Sequence, residues 1–216
     1  MVELDWIELD EGRKVMSTDD FVAGNHTDKY GTKNPISKAL MDGFLGSAKE
    51  LFGKAAPQTV IELGCGEGEL AARLLEGQQA DYLGTDLSSN IIEEAQRRYP
   101  HLKFQARGAD DIALPDGAFD LVVACEVLEH VEDPPAVLRE IKRLSSKWAL
   151  VSVPREPIWR ALNMIRGAYW GELGNTPGHI QHWGRRQFIA FIESELSVVE
   201  VRTPLPWTML LCRTDL

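Results

Sequence analysis

The sequence predicts a doubly wound α/β fold, in which helices cover both faces of a mostly parallel sheet. From Gln58 onward, short apolar runs alternate with helical patterns, as they do in repeated strand–helix units. Several of these runs are apolar on both faces, which is typical of strands buried in a parallel sheet. Two further alternating segments, residues 197–202 and 207–212, flank a Pro-Leu-Pro turn and predict a C-terminal antiparallel hairpin.

The elements follow in order along the chain. Asn34 followed by Pro35 predicts the start of a first helix, which an apolar stripe continues to an end near Gly53. Ser88 and Asp133 stand where caps of later helices are expected. The alternation predicts strands at 59–63, 82–85, 103–106, 120–124 and 149–153, with helices at 69–76, 89–98 and 136–144 between them. Beyond them we expect a helix at 156–166, an irregular loop at 171–183 and a helix at 185–195.

The sequence shows no linker, and we expect one domain over residues 1–216. Residues 1–57 would form an N-terminal arm and helix that can act as a lid, and residues 58–153 a ligand-binding core. Residues 154–195 would form an insertion on the substrate side, and residues 196–216 the terminal hairpin. A length of 216 residues is sufficient for one core of this kind.

The composition excludes several classes of protein. With 44% hydrophobic and 26% charged residues, the chain has the profile of an ordinary globular protein. A net charge of −10 opposes nonspecific binding to nucleic acid or anionic lipid. No apolar run approaches the ~20 residues of a membrane span. An acidic start and 3 cysteines without a CxxC pair lead us to expect a cytoplasmic protein.

The most informative motif is a glycine-rich turn between the first strand of the core and the helix after it. Glycines at such a turn allow a ligand to approach the backbone closely. The dinucleotide pattern GxGxxG requires glycine at position 69, where Glu69 stands. Nearby carboxylates, which would repel a pyrophosphate, suit a ligand with a cation and hydroxyl groups. The motif consists of Glu62, Gly64, Gly66, Glu67 and Gly68.

Two further polar positions follow neighbouring strands. Asp86 ends the second strand, where a carboxylate accepts both hydroxyls of a ribose. NAD-binding proteins use the same arrangement, so Asp86 alone does not identify the ligand. Ala109 and Asp110 follow the third strand, where a backbone N–H and a carboxylate could bind the edge of an adenine ring.

Together these residues resemble the class I S-adenosylmethionine-dependent methyltransferases over roughly residues 58–153. The resemblance implies a Rossmann-like methyltransferase sheet, with S-adenosylmethionine as cofactor and S-adenosylhomocysteine as product. Many relatives have Asp where this chain has Gly108, which is a departure at the adenine side. The cofactor-binding residues implied are Tyr30, Glu62, Gly64, Cys65, Gly66, Gly68, Asp86, Leu87, Ala109, Asp110 and Cys125.

A second motif follows the fourth strand, where this fold places its substrate. Glu126, Glu129 and His130 stand at positions i, i+3 and i+4, so one helical turn would direct all three to one side. Carboxylates and an imidazole are suitable ligands for a divalent cation such as Mg²⁺. A bound cation lowers the pKa of a substrate hydroxyl and so favours its attack as a nucleophile. We expect Cys125, just before this motif, to be buried rather than nucleophilic.

The Glu-x-x-Glu-His element resembles two methyltransferase groups, the ubiquinone-pathway O-methyltransferases and the small-RNA 3′-end 2′-O-methyltransferases. In the RNA enzymes a distal His lies four residues before a Trp, and His179 has this spacing from Trp183. The resemblance implies a metal site of Glu126, Glu129, His130 and His179. Related sequences without metal also carry Leu-Glu-His here, so a purely structural role of His130 stays open.

The leading hypothesis is therefore a methyltransferase that acts on a hydroxyl group of a small molecule. Glu126 and His130 are its candidate catalytic residues, and His182 is an alternative general base because histidine titrates near neutral pH. Other hypotheses are an RNA ribose 2′-O-methyltransferase, a C- or N-methyltransferase of a small molecule, a non-catalytic cofactor-binding module and a dehydrogenase. The net charge opposes the RNA acceptor, and the sequence does not indicate an oligomeric state.

Overall fold

The structure is a computed structural model that describes residues 34–110, 112–165, 167 and 169–214. Tyr30 and most of the expected N-terminal arm therefore lie outside the described residues. Within them, the strands are β1 (Thr59–Leu63), β2 (Asp81–Asp86), β3 (Lys103–Ala106), β4 (Phe119–Cys125), β5 (Ser145–Pro154), β6 (Ser197–Arg202) and β7 (Trp207–Arg213).

In the described part of the chain these strands form one sheet in the order β3-β2-β1-β4-β5-β7-β6. The first five strands pair in parallel, whereas β7 pairs antiparallel with both β5 and β6. This topology confirms the predicted parallel sheet with a C-terminal antiparallel hairpin. Because β2 and β4 lie on opposite sides of β1, the order reverses there, which is where such folds bind ligands.

Helices pack on both faces of the sheet, as the apolar pattern predicted. Buried residues of α1, α2 and α3 pack on one face, beside Val60 and Leu121, and those of α4 and α6 pack on the other, beside Ile61 and Val122. Successive strand residues thus contribute to opposite layers of the core. The helices are α1 (Pro35–Ala55), α2 (Glu69–Leu74), α3 (Ser89–Arg98), α4 (Pro134–Leu144), α5 (Ile158–Ile165) and α6 (Arg185–Ile192).

The expected helix caps are confirmed. Asn34 Oδ1 accepts hydrogen bonds from the N–H groups of Ile36 and Ser37, and Ser88 and Asp133 cap α3 and α4. The predicted end of α1 near Gly53 is two residues early, because the helix continues to Ala55. Ala56 then adopts a left-handed conformation with φ 43°.

Boundaries differ most where polar residues extend an element. β5 begins at Ser145, not at the expected residue 149, because Ser145 already pairs with Phe119 of β4 and Trp148 pairs with Arg213 of β7. The apolar run marked only the buried centre of this strand. None of the described helices combines the length and the apolar composition that crossing a membrane requires.

Candidate active site

The glycine-rich turn follows β1 and opens α2. Gly64, Gly66 and Gly68 all have positive φ, at 68°, 54° and 80°. Gly64 is constrained by packing as well, because a Cβ atom there would lie 2.5 Å from Cγ2 of Val127. The turn is therefore in direct contact with the segment that follows β4.

Asp86, at the carboxyl end of β2, holds this turn in place. Its Oδ2 accepts a hydrogen bond from the Gly66 N–H at 3.1 Å, and its Oδ1 accepts one from the Ser88 N–H at 3.1 Å. The Cys65 N–H donates to the backbone oxygen of Thr85 at 2.9 Å. The structure thus brings the expected ribose-binding carboxylate against the glycine turn.

Glu62 lies inside the core, with 4% of its surface exposed. Its carboxyl group accepts a hydrogen bond from the Tyr82 hydroxyl at 2.6 Å. Burial raises the pKa of Glu62 to about 8, and the nearby charge of Asp86 acts in the same direction. Glu62 is therefore largely protonated at neutral pH, and its contact with a ligand cation stays a prediction.

The expected adenine-binding residues meet at Gly108. A Cβ atom on this glycine would lie 2.9 Å from Oδ1 of Asp110 and 3.9 Å from Cδ1 of Leu87. Ala109 packs against the core, and Asp110 is exposed. A larger residue at position 108 would therefore displace the Asp110 carboxylate.

On the other side of the turn, Glu129, His130 and His179 come together. One potential ligand atom from each lies within 4.8 Å of the other two. Glu129 and His179 are buried, whereas His130 is exposed. His179 is 49 positions beyond His130 in the chain, and yet their rings lie 4.8 Å apart, whereas their role as metal ligands stays a prediction.

The loop that carries His179 is anchored on the segment after β4. His130 Nδ1 lies 2.9 Å from the Gly178 carbonyl oxygen, and this oxygen only accepts, so Nδ1 carries the hydrogen. In the neutral ring, Nε2 is then the nitrogen with a lone pair. The N–H groups of Ile180 and Gln181 both donate to the backbone oxygen of Glu129.

Glu126 is placed differently from the prediction. It has a left-handed backbone with φ 62°, and a short 3₁₀ turn begins only at Leu128, so one helical turn carrying Glu126, Glu129 and His130 is wrong. Its Oε1 accepts from the Ser152 hydroxyl at 3.2 Å, and its Oε2 accepts from the Trp207 indole N–H at 2.6 Å. Among the described residues, Glu126 is not part of the group formed by the other three.

His182 lies on the same insertion. Its Nε2 lies 2.8 Å from Asn175 Oδ1. Partial burial and the positive charge of Arg160 lower the pKa of His182 below its usual value. This direction favours the neutral imidazole, which is the form that a general base requires. Cys125 is buried, and burial raises the pKa of its thiol, which agrees with the expected non-nucleophilic role.

Aromatic residues that the sequence analysis did not assign to the site line this side. The Trp159 ring stacks on His179 at 5.8 Å and lies 5.8 Å from Trp207, which contacts Phe44 of α1 at 5.0 Å. No local spacing signals these contacts, since Trp207 reaches the site only through its pairing with Pro154 of β5.

This sheet order, with a glycine turn after β1 and a carboxylate at the tip of β2, defines a class I S-adenosylmethionine-dependent methyltransferase. Comparison with known families agrees: residues 39–194 match the profile of a methyltransferase domain family. The chain belongs to this family.

Individual relatives support the same assignment. The chain is 39% identical over 93 residues to a ubiquinone biosynthesis O-methyltransferase of Albidiferax ferrireducens, covering 39% of this chain and 35% of that protein. It is 28% identical over 154 residues to a demethylmenaquinone methyltransferase of Beutenbergia cavernae, covering 68% and 64%. The matches span about two fifths of the length of the first curated relatives.

Among solved structures, the fold is similar to a magnesium protoporphyrin IX methyltransferase from Synechocystis PCC 6803 with bound S-adenosylmethionine. The TM-score is 0.64 at 17% identity, and the superposition covers 90% of this chain and 93% of that chain. At this identity the likeness concerns the fold alone.

Proposed function

We propose that this methyltransferase transfers a methyl group to a hydroxyl group of a small-molecule acceptor. The observation that carries the proposal is the group of carboxylate and imidazole side chains formed by Glu129, His130 and His179. The segment after β4, which holds the first two, packs against the glycine turn where Val127 meets Gly64. Such groups accept protons and orient hydroxyl groups. The relative named for ubiquinone biosynthesis O-methylation supports the same reaction type.

S-adenosylmethionine, when bound, supplies a methyl group on a positively charged sulfur, and transfer to a hydroxyl releases a proton and S-adenosylhomocysteine. The glycine turn and Asp86 would hold the nucleoside, with Leu87, Ala109 and Asp110 at the adenine. Glu126 would orient the acceptor hydroxyl. The proton of this hydroxyl would pass to Glu126 itself, to His182 or to His130. Alignment of the hydroxyl oxygen with the methyl carbon provides much of the acceleration.

Glu129, His130 and His179 also form a suitable donor set for a divalent cation. Two imidazoles and one carboxylate match the preferences of Mn²⁺ or other first-row ions, and Mg²⁺ prefers the carboxylate. A cation held there would lower the pKa of the acceptor hydroxyl. In this proposal Glu126 lies outside the ligand set, because the potential ligand atoms that lie within 4.8 Å of one another belong to Glu129, His130 and His179.

The metal proposal is tested by chelation. Treatment with EDTA should abolish turnover, and addition of Mg²⁺ or Mn²⁺ should restore it. Glu129→Gln should weaken Mn²⁺ binding in calorimetry, whereas Glu132→Gln, a nearby exposed carboxylate, should leave it unchanged. Turnover that is indifferent to chelation would remove the metal and leave the methyltransferase.

The methyl acceptor is tested by a screen of catechols, phenols, diols and amines, with an RNA oligonucleotide as a further candidate acceptor. Formation of S-adenosylhomocysteine is followed, and mass spectrometry with tandem fragmentation locates the methyl group in the product. Methylation on oxygen supports the proposal. Methylation on carbon or nitrogen, or of an RNA oligonucleotide alone, contradicts it and assigns a different acceptor class. The cytoplasmic location stays a prediction from the sequence.

A further inference from the structure

Trp207 lies at the acceptor edge of the sheet although it is far from the motif in sequence. It begins β7, and it pairs with Pro154 at the carboxyl end of β5. The neighbouring β4 ends at Cys125, which pairs with Ser152 of β5. The antiparallel direction of β7 therefore brings this indole to the strand ends where the acceptor is expected.

The Trp207 indole and the Ser152 hydroxyl hold the two oxygens of Glu126. The indole N–H donates to Oε2 at 2.6 Å, and the hydroxyl donates to Oε1 at 3.2 Å. An indole nitrogen can only donate, so the direction of the shorter bond is fixed. A carboxylate oxygen has two lone pairs and can accept more than one hydrogen bond, so these two contacts are compatible with a carboxylate that also binds a ligand.

Glu126 has a left-handed backbone conformation. A residue with a Cβ atom at φ 62° carries a conformational cost on the order of 1 kcal/mol, which glycine would avoid. The Glu126 N–H donates to the backbone oxygen of Ser152 at 3.0 Å and stabilises this conformation. Strained residues of this kind cluster at functional sites.

The Trp207 ring is itself fixed by its neighbours. It is 5% exposed and lies 5.0 Å from Phe44 of α1 and 5.8 Å from Trp159 of α5. Trp159 in turn stacks on His179, one of the three candidate metal ligands. The indole N–H is thus directed by packing from two helices, and it can in turn direct the carboxylate.

Resting on the O-methylation proposed above, we propose that Trp207 is a positioning residue that acts through Glu126. It fixes the orientation of the carboxylate, which in the complex accepts a hydrogen bond from the acceptor hydroxyl and aligns the hydroxyl oxygen. Ser152 fixes the second oxygen and prevents rotation of the group. Glu126 is then the residue that contacts the acceptor, and it is not a metal ligand.

The test combines Trp207→Phe, Glu126→Gln and the double variant. Turnover is measured with the best hydroxyl acceptor from the screen above, together with donor affinity by calorimetry with S-adenosylhomocysteine. Each single variant should lower kcat about tenfold or more, since misplacement of a reacting group has effects of this size. The donor affinity should stay within about twofold of the wild-type value, and the double variant should be no slower than the slower single variant.

The matched control is Trp148→Phe, a tryptophan on β5 whose ring lies on Arg213 instead of at the site. It should turn over like the wild type. If Trp207→Phe does not fold, Glu126→Gly supplies the test, because glycine suits the backbone at this position. It should lower kcat, and the relief of backbone strain should offset part of the stability that is lost with the two hydrogen bonds.

Additive losses in the double variant, or wild-type kcat in Trp207→Phe, would overturn the proposal. If the wild-type protein binds S-adenosylhomocysteine but methylates no hydroxyl, the proposed O-methylation is wrong. The hydrogen bond between Trp207 and Glu126 is then tested separately by NMR. Glu126→Gln should then shift the indole N–H resonance of Trp207 and leave that of Trp148 in place. An unmoved Trp207 resonance would contradict a role exerted through Glu126.

Discussion

The donor side and the acceptor side of the site are built differently. On the donor side, the hydrogen bond from the Gly66 N–H to Asp86 joins residues only 20 positions apart, at the tips of adjacent strands. On the acceptor side, the Trp207 indole reaches Glu126 across 81 positions, and His130 contacts Gly178 across 48. The first region uses backbone groups and a carboxylate, and the second uses aromatic and charged side chains from distant segments.

This difference teaches where the specificity of the enzyme is determined. A donor side made from consecutive strand–turn–helix units depends on backbone geometry, so its features are common to methyltransferases with different acceptors. The acceptor side depends on the insertion and on the hairpin, which can vary without disturbing the donor. Variants of the donor side should therefore change cofactor binding, and variants of the acceptor side should change kcat.

The largest effect is expected for Asp86→Ala. Loss of two charge-assisted hydrogen bonds to ribose, each worth about 1.5–3 kcal/mol, should weaken S-adenosylhomocysteine binding by about 1000-fold in calorimetry. The turn also loses the acceptor of the Gly66 N–H. Asp81→Ala removes an exposed carboxylate at the opposite end of the same strand and should bind normally. Unchanged affinity in Asp86→Ala would refute the donor-side assignment.

The next effect concerns the contact between the two sides. Gly64→Ala should lower the free energy of unfolding by about 3 kcal/mol, because positive φ and overlap with Val127 both oppose a Cβ atom. Gly66→Ala, which has positive φ but no atom within 4 Å of the added Cβ, should cost about 1 kcal/mol in urea unfolding.

Adding Val127→Ala to Gly64→Ala tests the overlap itself. The second substitution should recover part of the lost stability, although Val127→Ala alone destabilises a buried position. Equal costs for Gly64→Ala and Gly66→Ala would mean that the donor turn and the acceptor segment do not pack together as described.

The same contrast explains what the sequence could and could not predict. The alternation of strands and helices, the helix caps and the glycine turn follow from local patterns, because each depends on residues that are close in the chain. Asp86 could be placed at the turn because the ends of neighbouring parallel strands meet at one edge. His179 was also found, through a spacing relative to Trp183 that is similar in a known family.

The acceptor side was predicted less well. The spacing of Glu126, Glu129 and His130 suggested one helical face, but a spacing argument assumes helical backbone, and Glu126 is left-handed. Trp207 and Ser152 could not be assigned, because their contact with Glu126 requires the register of β5 and β7. Glu62 illustrates a further limit, since Tyr82 engages a carboxyl group that the motif suggested for the ligand.

A smaller effect is expected for the pH dependence of stability at Glu62. Its pKa is raised from 4.5 to about 8 in the folded protein, so the unfolded chain loses this proton first as the pH rises. Folding should therefore become less favourable between about pH 4.5 and about pH 8, and the contribution is fully present only below that window.

Glu62→Gln keeps an oxygen that can accept from Tyr82 and removes the titration. Its melting temperature should vary less over this pH window than that of the wild type, and near pH 8 it should be the more stable protein. Glu67→Gln, a carboxylate of the same turn paired with Arg98, is the matched control. An identical pH profile for the wild type and Glu62→Gln would contradict the raised pKa of Glu62 and would mean that its carboxyl group contacts solvent or a ligand.

The smallest effect is expected for His182→Gln, which decides how the acceptor side accepts a proton. If Glu126 orients the hydroxyl, loss of His182 should lower kcat by less than about threefold, whereas a general base contributes about 100-fold or more. The pKa of His182 is lowered by partial burial and Arg160, so the unfolded chain takes up this proton first as the pH falls through the ordinary range of histidine, and folding becomes less favourable there. His182→Gln should flatten stability slightly in that acidic range, with thermal melting as the measurement. A loss of kcat near 100-fold with intact donor binding would instead identify His182, on the insertion, as the residue that accepts the proton. The hydrogen bond between His182 and Asn175 would not by itself explain a rate effect of this size.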